Sequence, residues 1–415
     1  MRALRYLVCG ILSFLIVVAA RQGIAACYLR EVSPGSVQKA MAWDPGNPQY
    51  PATAAILIHQ YGDSADPEAA IHLYETALRL SPFDAEYYVD LAQANDWAGR
   101  SSQADLLFQR AQKLFPNSPE INWKVANYRV RTGKTNEALP LLKKVLSSGA
   151  INENQVFALV SNARIDRGVV INELLPSDVL TFIRFANFQV DRGDMAGAEQ
   201  TWDHLLLLHA PFEINMAFHY LDALISSHSV ERARKIWSAL IERFPLLVPS
   251  PASSQNLVTN GDFRGDILNG GFDWRVNPVA GAAVTQELSD AARDSRSLRI
   301  DFDGSQNLYY DSVAQFVLTE PNTHYDFSAV LSSQGITTDS GVGLRISDAY
   351  NSNEPLGSTD SLIGTMPRSE HKFSFTTGPE TRLALVTVIR TPSRKFDDKI
   401  AGTFRVSSVI IVPGP

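Results

Sequence analysis

A 34-residue period constrains this chain more than any other feature. Pro82 and Pro116 lie 34 apart, as do Gly99 and Gly133, and Ala70, Ala104 and Ala138 fall on the same comb. Tyr74 and Phe108 each follow an alanine of that comb by four residues, and Ala77 and Ala111 by seven. Small, bulky and proline positions held in constant phase mark a stack of helix–turn–helix units, because one such unit cannot bury its apolar face alone. The pattern loosens further on but persists: Trp202 and Trp237 are 35 apart, Ala198 and Ala233 are 35 apart, and Pro211 and Pro245 are 34 apart. About five or six helical pairs are expected over 31–248, the last ones degenerate. A proline-rich linker, 249–255, follows.

At 415 residues the chain is too long for one ordinary domain. A net charge of −7, with no run of five Lys/Arg residues, argues against nucleic acid as a partner. Its two cysteines, Cys9 and Cys27, both lie near the N-terminus. The rest of the chain therefore holds neither a disulfide framework nor a thiolate zinc site, which suits an oxidising compartment.

Arg2 and Arg5 precede an uncharged apolar run, Tyr6 to Ala20, which Arg21 closes. A basic flank before an apolar run is the logic of a secretory signal. Its 15 residues fall short of the roughly 20 of a spanning helix, unless the span extends towards Leu29 past a snorkelling Arg21. Three outcomes follow for segment 1–30. A retained signal anchor makes the chain a single-pass cell-membrane protein, cleavage after Ala25 or Ala26 releases it, and lipidation at Cys27 tethers it as a lipoprotein. All three put the body outside the cytoplasm, in the periplasm or at the cell surface.

Residues 85–118 resemble a tetratricopeptide repeat. Tyr88, Leu91 and Ala92 stand where that family places an aromatic, a leucine and a small residue in its first helix. Gly99 ends that helix, Ala104, Phe108 and Ala111 follow in the second, and Pro116 closes the unit. The resemblance implies a solenoid whose inner face, built from the first helices, holds a protein partner. Projected onto this sequence, that face comprises His59, Glu86, Val89, Gln93, Asp96, Trp123 and Asn127. The basic set of the family's carboxylate clamp is missing from these positions.

From Gln255 onward, helical periodicity gives way to short alternating segments such as "SLRIDF", "HYDFSAVLS" and "LALVTVIR", separated by turn residues. Seven or more such strands predict a β-sandwich or jelly roll over 256–413. The opening "NLVTNGDFRGDILNGGFDW" is similar to the start of carbohydrate-binding modules of the galactose-binding-like jelly-roll superfamily, through Asn256, Leu257, Asn260, Gly261, Phe263 and Trp274. That resemblance implies a sandwich fold and a glycan as candidate ligand. Aromatic rings stacking on sugar faces and polar groups orienting hydroxyls make Tyr309, Tyr310, Arg345 and Tyr350 the candidates. Successive strand residues face opposite ways, so only one of Tyr309 and Tyr310 can line a groove. Trp274 and Tyr325 read as core. Some family members hold a structural calcium. Here the Asp pair before the last apolar residues is replaced by Ser407-Ser408, leaving Asp262 and Asp266 as weak candidates and no expected metal or other cofactor.

No nucleophile elbow, zinc-binding HExxH or phosphate-binding loop is present, and the three regions use the whole chain. The expected fold is multidomain: a membrane helix, an all-α solenoid and an all-β jelly roll. The expected function is that of a non-enzymatic, membrane-anchored scaffold, its solenoid on a protein and its β-domain on a glycan, in polysaccharide assembly or export. The alternatives are a purely structural interaction protein without sugar binding, or an accessory subunit of a separate glycoside hydrolase.

Overall fold

The structure is a computed structural model that describes residues 2–61, 66–245, 255–288, 296–351 and 355–415. The proline-rich 249–254 lies outside the described residues. The chain is helical up to residue 243 and β-structured from residue 275. It divides into two compact units, Met1–Thr181 and Phe182–Pro415.

The first unit opens with α1 (Arg2–Tyr28), one uninterrupted helix long and apolar enough to cross a membrane. Short helices follow: α2 (Pro34–Trp43), then the pairs α3 (Gln49–Tyr61) and α4 (Pro67–Leu80), α5 (Ala85–Trp97) and α6 (Ser101–Leu114), α7 (Pro119–Arg131) and α8 (Thr135–Ser148), and then α9 (Glu153–Asn162). A short α10 (Arg167–Val169) runs into a π-turn, Val170–Leu174. Local chemistry explains the boundaries. Asp66 and Ser118 cap their helices through their side chains, and prolines take the first position of α4 and α7. Gly99 and Gly133 adopt positive φ at the turns after α5 and α7.

The 34-residue comb is the packing seam. Ala70, Ala104 and Ala138 are fully buried, and so are Ala77 and Ala111. Without bulk at these points, neighbouring helices approach closely enough for Phe108 to meet Tyr128 at 4.5 Å. Ion pairs then tie each repeat to the next: Arg100 with Glu68 at 2.5 Å, Lys124 with Asp90 at 3.4 Å, and Arg131 with Asp96. Arg129 is buried and pairs with Asp105 at 2.6 Å, while Lys134 takes the other oxygen of the same carboxylate. Burial opposes ionisation of Asp105, but the Lys134 hydrogen bond and the Arg129 charge outweigh it and hold its carboxyl below the usual range.

The second unit contains α11 (Val179–Asp191) from Phe182 onward, α12 (Met195–Leu207), α13 (Phe218–Ser226) and α14 (Val230–Arg243). It then forms two five-stranded antiparallel sheets. Their strands are β1 (Arg275–Val276), β2 (Ala282–Leu288), β3 (Arg296–Asp303), β4 (Tyr310–Leu318), β5 (His324–Ile336), β6 (Gly343–Asp348), β7 (Pro355–Ser358), β8 (Gly364–Thr376), β9 (Leu383–Arg390) and β10 (Ala401–Pro413). One sheet has the order β1-β4-β9-β6-β7 and the other β2-β3-β10-β5-β8. Alternate residues of both sheets fill one core, including Trp274, Leu298, Ile300, Phe327, Val386 and Phe404.

The helices of this unit and its sandwich share contacts. Arg275 of β1 reaches Asp222 of α13 at 2.5 Å while its guanidinium lies over Phe316, 5.3 Å from the ring centroid. Arg234 of α14 pairs with Glu320 at 3.0 Å. The loop before β1 seats on two aromatic side chains. A Cβ added at Gly270 would stand 2.2 Å from the Phe218 ring, and one at Gly271, whose φ is +60°, 2.5 Å from the Trp237 ring. Only glycines fit between backbone and ring there. Changing both to alanine is expected to cost about 3 kcal/mol of the second unit's stability through overpacking. Urea unfolding followed by tryptophan fluorescence checks this, and an unchanged midpoint would refute it.

Candidate functional site

The first helices α5, α7 and α9 line a groove of about 440 Å³ within the first unit, floored by Phe108 and Tyr128 and walled by Gln93, Lys124, Asn127, Arg131, Leu159 and Asn162. Two of the seven projected inner-face residues, Gln93 and Asn127, are in its lining. Asn127 donates its amide to the Trp123 carbonyl of its own helix at 2.8 Å, which orients it along the groove wall. Asp96 meets Arg131, and Arg131 also lies over the Tyr128 ring at 5.7 Å. Glu86 is exposed near the start of α5, and Trp123 is half-buried in α7. Val89 departs from the projection: it is fully buried with Ala92, Phe108 and Val125, because the small neighbours let the next helix close over it. His59 lies in α3, but its side chain is outside the described residues. The projection missed Lys124 and Arg131. Their signal was in the sequence as repeat-spaced charge, Asp90 to Lys124 and Asp96 to Arg131, 34 and 35 residues apart.

The sandwich treats its four glycan candidates differently. Tyr310 is fully buried and meets Phe302 edge-on at 5.3 Å, so its ring belongs to the core and cannot stack on a sugar. Burial pushes its phenol up from the usual range. Tyr350 donates its hydroxyl to the Ile225 carbonyl at 2.8 Å and stacks on His228 at 3.8 Å, which commits it to the helices of its own unit. Tyr309, just before β4, is 49% exposed. Arg345 is half-buried on β6, on the side opposite the core residues Leu344 and Ile346. Only Tyr309 and Arg345 therefore stay available to a ligand.

The motif that carried the resemblance is a clasp. Asn256 accepts from the backbone N–H of Val258 and Ile411 and donates to the Val409 carbonyl at 3.2 Å. Gly261 lies so close to Val409 that a Cβ would stand 2.3 Å from its carbonyl oxygen. Asn260, at φ +50°, exchanges two side-chain bonds with Gly265 and accepts from the Trp274 indole at 3.2 Å. These residues pin the opening loop to β10 and to Trp274. The weak calcium candidates are held apart by their own partners, Asp262 by Arg264 at 3.2 Å and Asp266 by Arg296 at 2.8 Å. Among the described residues, no group of three or more His, Cys, Asp or Glu side chains is placed to hold a metal.

Asp273 is the unusual titratable group of this clasp. It is buried, and one oxygen accepts from the Leu268 N–H at 2.7 Å. Burial pushes its carboxyl up to about 6, against the pull of the Leu268 and Trp274 backbone and the Asn260 amide. The folded state thus holds this proton more tightly than the unfolded chain, where the group titrates at 3.8. Its stabilising contribution is full below pH 4 and is lost as pH rises through 6, a change of about 3 kcal/mol. Unfolding free energies of wild type and Asp273→Asn, compared at pH 4 and pH 7.5, should differ by that amount in favour of the variant at the higher pH. A pH-independent difference would contradict the assignment.

The chain is thus a helical-repeat protein carrying an all-β sandwich of two five-stranded antiparallel sheets. No protein-family model matches the sequence, and no curated protein matches it. Among solved structures, it is similar to a CBM4 structure at 13% identity and TM-score 0.29, over 38% of this chain and 99% of that one. It is similar to YrrB, a TPR protein with an unusual peptide-binding site, at 15% identity and TM-score 0.27, over 52% of this chain and 95% of that one. It is also similar to the CBM22-1–GH10 modules of endo-1,4-β-D-xylanase 10B of Clostridium thermocellum, solved with xylohexaose, at 13% identity and TM-score 0.25, over 39% of this chain and 28% of that one.

Proposed function

We propose that this chain is a non-enzymatic scaffold, anchored in a membrane by α1 with its body outside the cytoplasm, whose repeat groove holds an extended segment of a protein partner. The observation that carries the reading is the groove across α5, α7 and α9, where Gln93, Asn127 and Asn162 line one wall system with Lys124 and Arg131. Side-chain amides at repeat spacing suit the backbone of an extended peptide, and acidic side chains on it would compete with Asp90 and Asp96 for Lys124 and Arg131.

Retention of α1 is supported by its packing. Ala25 is fully buried against Val37, Ala40 and Tyr50, with Tyr28 and Leu29 alongside. Cleavage after Ala25 or Ala26, or processing at Cys27, would cut a folded helix and strip the cover from α2. Arg2 and Arg5 ahead of the apolar run put the N-terminus on the cytoplasmic side.

A second reading gives the sandwich a glycan and the protein a place in polysaccharide assembly or export. It is carried by Tyr309, the most exposed ring among the candidates and the one not bonded to the helices, with Arg345 as the polar partner. The same detergent-solubilised full chain tests both readings. On an array of extended acidic peptides, binding is expected to weaken by about tenfold or more in Lys124→Glu with Asn127→Ala. Peptide binding unchanged by these substitutions, in a variant with wild-type helicity, would remove the groove from the function. On a glycan array, binding lost in Tyr309→Ala and Arg345→Ala would establish the second reading, and its absence leaves the protein scaffold alone.

A further inference from the structure

The edge of the repeat stack from which α1 emerges is built differently from the opposite edge. The Nε–H of Arg21 donates to the Trp43 carbonyl at 2.9 Å, so residue 21 of α1 is level with the last residue of α2. The connection between the two helices is only residues 29–33, which makes them antiparallel. Residues before Arg21 therefore project beyond the end of α2, on the side where α2 hands over to α3. Short connections make each later neighbour antiparallel in turn. The turns 44–48, 81–84 and 115–118 consequently all lie on that same edge.

Exposed aromatic side chains stand along it. Trp43 is 40% exposed, Phe83 72% and Phe115 53%, one beside each successive turn, and Leu80 is exposed beside Phe83. The row stops at the fourth turn, where residues 149–152 are Gly-Ala-Ile-Asn. The opposite edge carries Arg100, Arg131 and Lys134 at its turns, with Val32 the exposed large apolar side chain there among the described residues. Among the described residues of the first unit, no packing accounts for aromatic rings left in water at three successive turns of this edge.

We infer that this edge lies on the bilayer that α1 enters, with Trp43, Phe83 and Phe115 in the headgroup region. The inference rests on the reading of α1 as a retained span. The uncharged apolar run Tyr6–Ala20 has 15 residues and spans about 22 Å as a helix, against a hydrocarbon core of about 30 Å. A span this short draws the residues that follow it towards the membrane surface. Arg21 and the Trp43 carbonyl it binds are then at the boundary itself. Trp is favoured at that depth for its amphipathic ring, and Phe gains by sinking its apolar ring into the headgroup–acyl boundary. Packed neighbouring helices cross at about 20°, so the edge tilts away along the stack and immersion falls from Trp43 to Phe83 to Phe115. The groove of α5, α7 and α9 is thereby held at a set height above the lipid rather than swinging on a tether.

Full-length protein with Cys9→Ser and Cys27→Ser, carrying one fluorophore-labelled cysteine at a time, is placed in phosphatidylcholine–phosphatidylglycerol vesicles containing a nitroxide lipid. Labels on Trp43→Cys, Phe83→Cys and Phe115→Cys are compared with Arg100→Cys and Lys134→Cys on the far edge, and alkaline carbonate extraction is run in parallel. Quenching at Trp43→Cys and Phe83→Cys is expected to exceed that at the far-edge positions by about twofold or more, with Phe115→Cys between. Equal quenching at all five positions in carbonate-resistant protein would overturn the inference and leave the anchor standing. Protein stripped by carbonate would remove the anchor, and the inference with it.

Discussion

A helical pair of this repeat cannot bury its own apolar face, and the rest of the structure answers to that constraint. Within the stack the answer is the comb of buried alanines, which lets each pair close over the next. Where the stack begins the answer is α1, whose last turns place Ala25 on Val37, Ala40 and Tyr50. At α13 and α14 it comes from the sandwich, whose Gly270-Gly271 turn lies on Phe218 and Trp237. The apolar helix and the β-domain thus serve the repeat as covers as well as carrying whatever else they do.

The covering role changes how the sandwich reads. Asn256, Asn260, Gly261, Phe263 and Trp274 hold the opening loop against β10 and present its Gly-Gly turn to the helices. A motif shared with carbohydrate-binding modules is accounted for here by backbone satisfaction and close approach. It therefore says more about how the sheet is closed than about what the sheet binds. Tyr350 and Arg275, both on loops or edges facing the helices, are spent on the same seam. Charge is spent in the same way inside the repeats. Buried Arg129 is tolerated because Asp105 and Glu137 both reach it.

The sequence by itself determined the repeat, the β-sandwich and the apolar helix. Each is written in a short-range pattern: a 34-residue comb, a period of two, and an uncharged run behind arginines. It also placed Gln93 and Asn127 on the inner wall, because helical phase carries over from one repeat to the next. What only the tertiary structure decided is which side chains remain free. Val89 shares a helical face with Gln93 yet vanishes beneath a neighbour admitted by small residues. Tyr310 and Tyr309 are adjacent in sequence and differ wholly in exposure, because the pleat turns one ring into the core. Tyr350 is exposed in pattern but bonded to Ile225, 125 residues away. The aromatic turns carried no periodic signal either, since Trp43, Phe83 and Phe115 share an edge only once antiparallel packing has folded the chain back on itself. Local periodicity specifies elements, whereas exposure is set by which elements come to lie against one another.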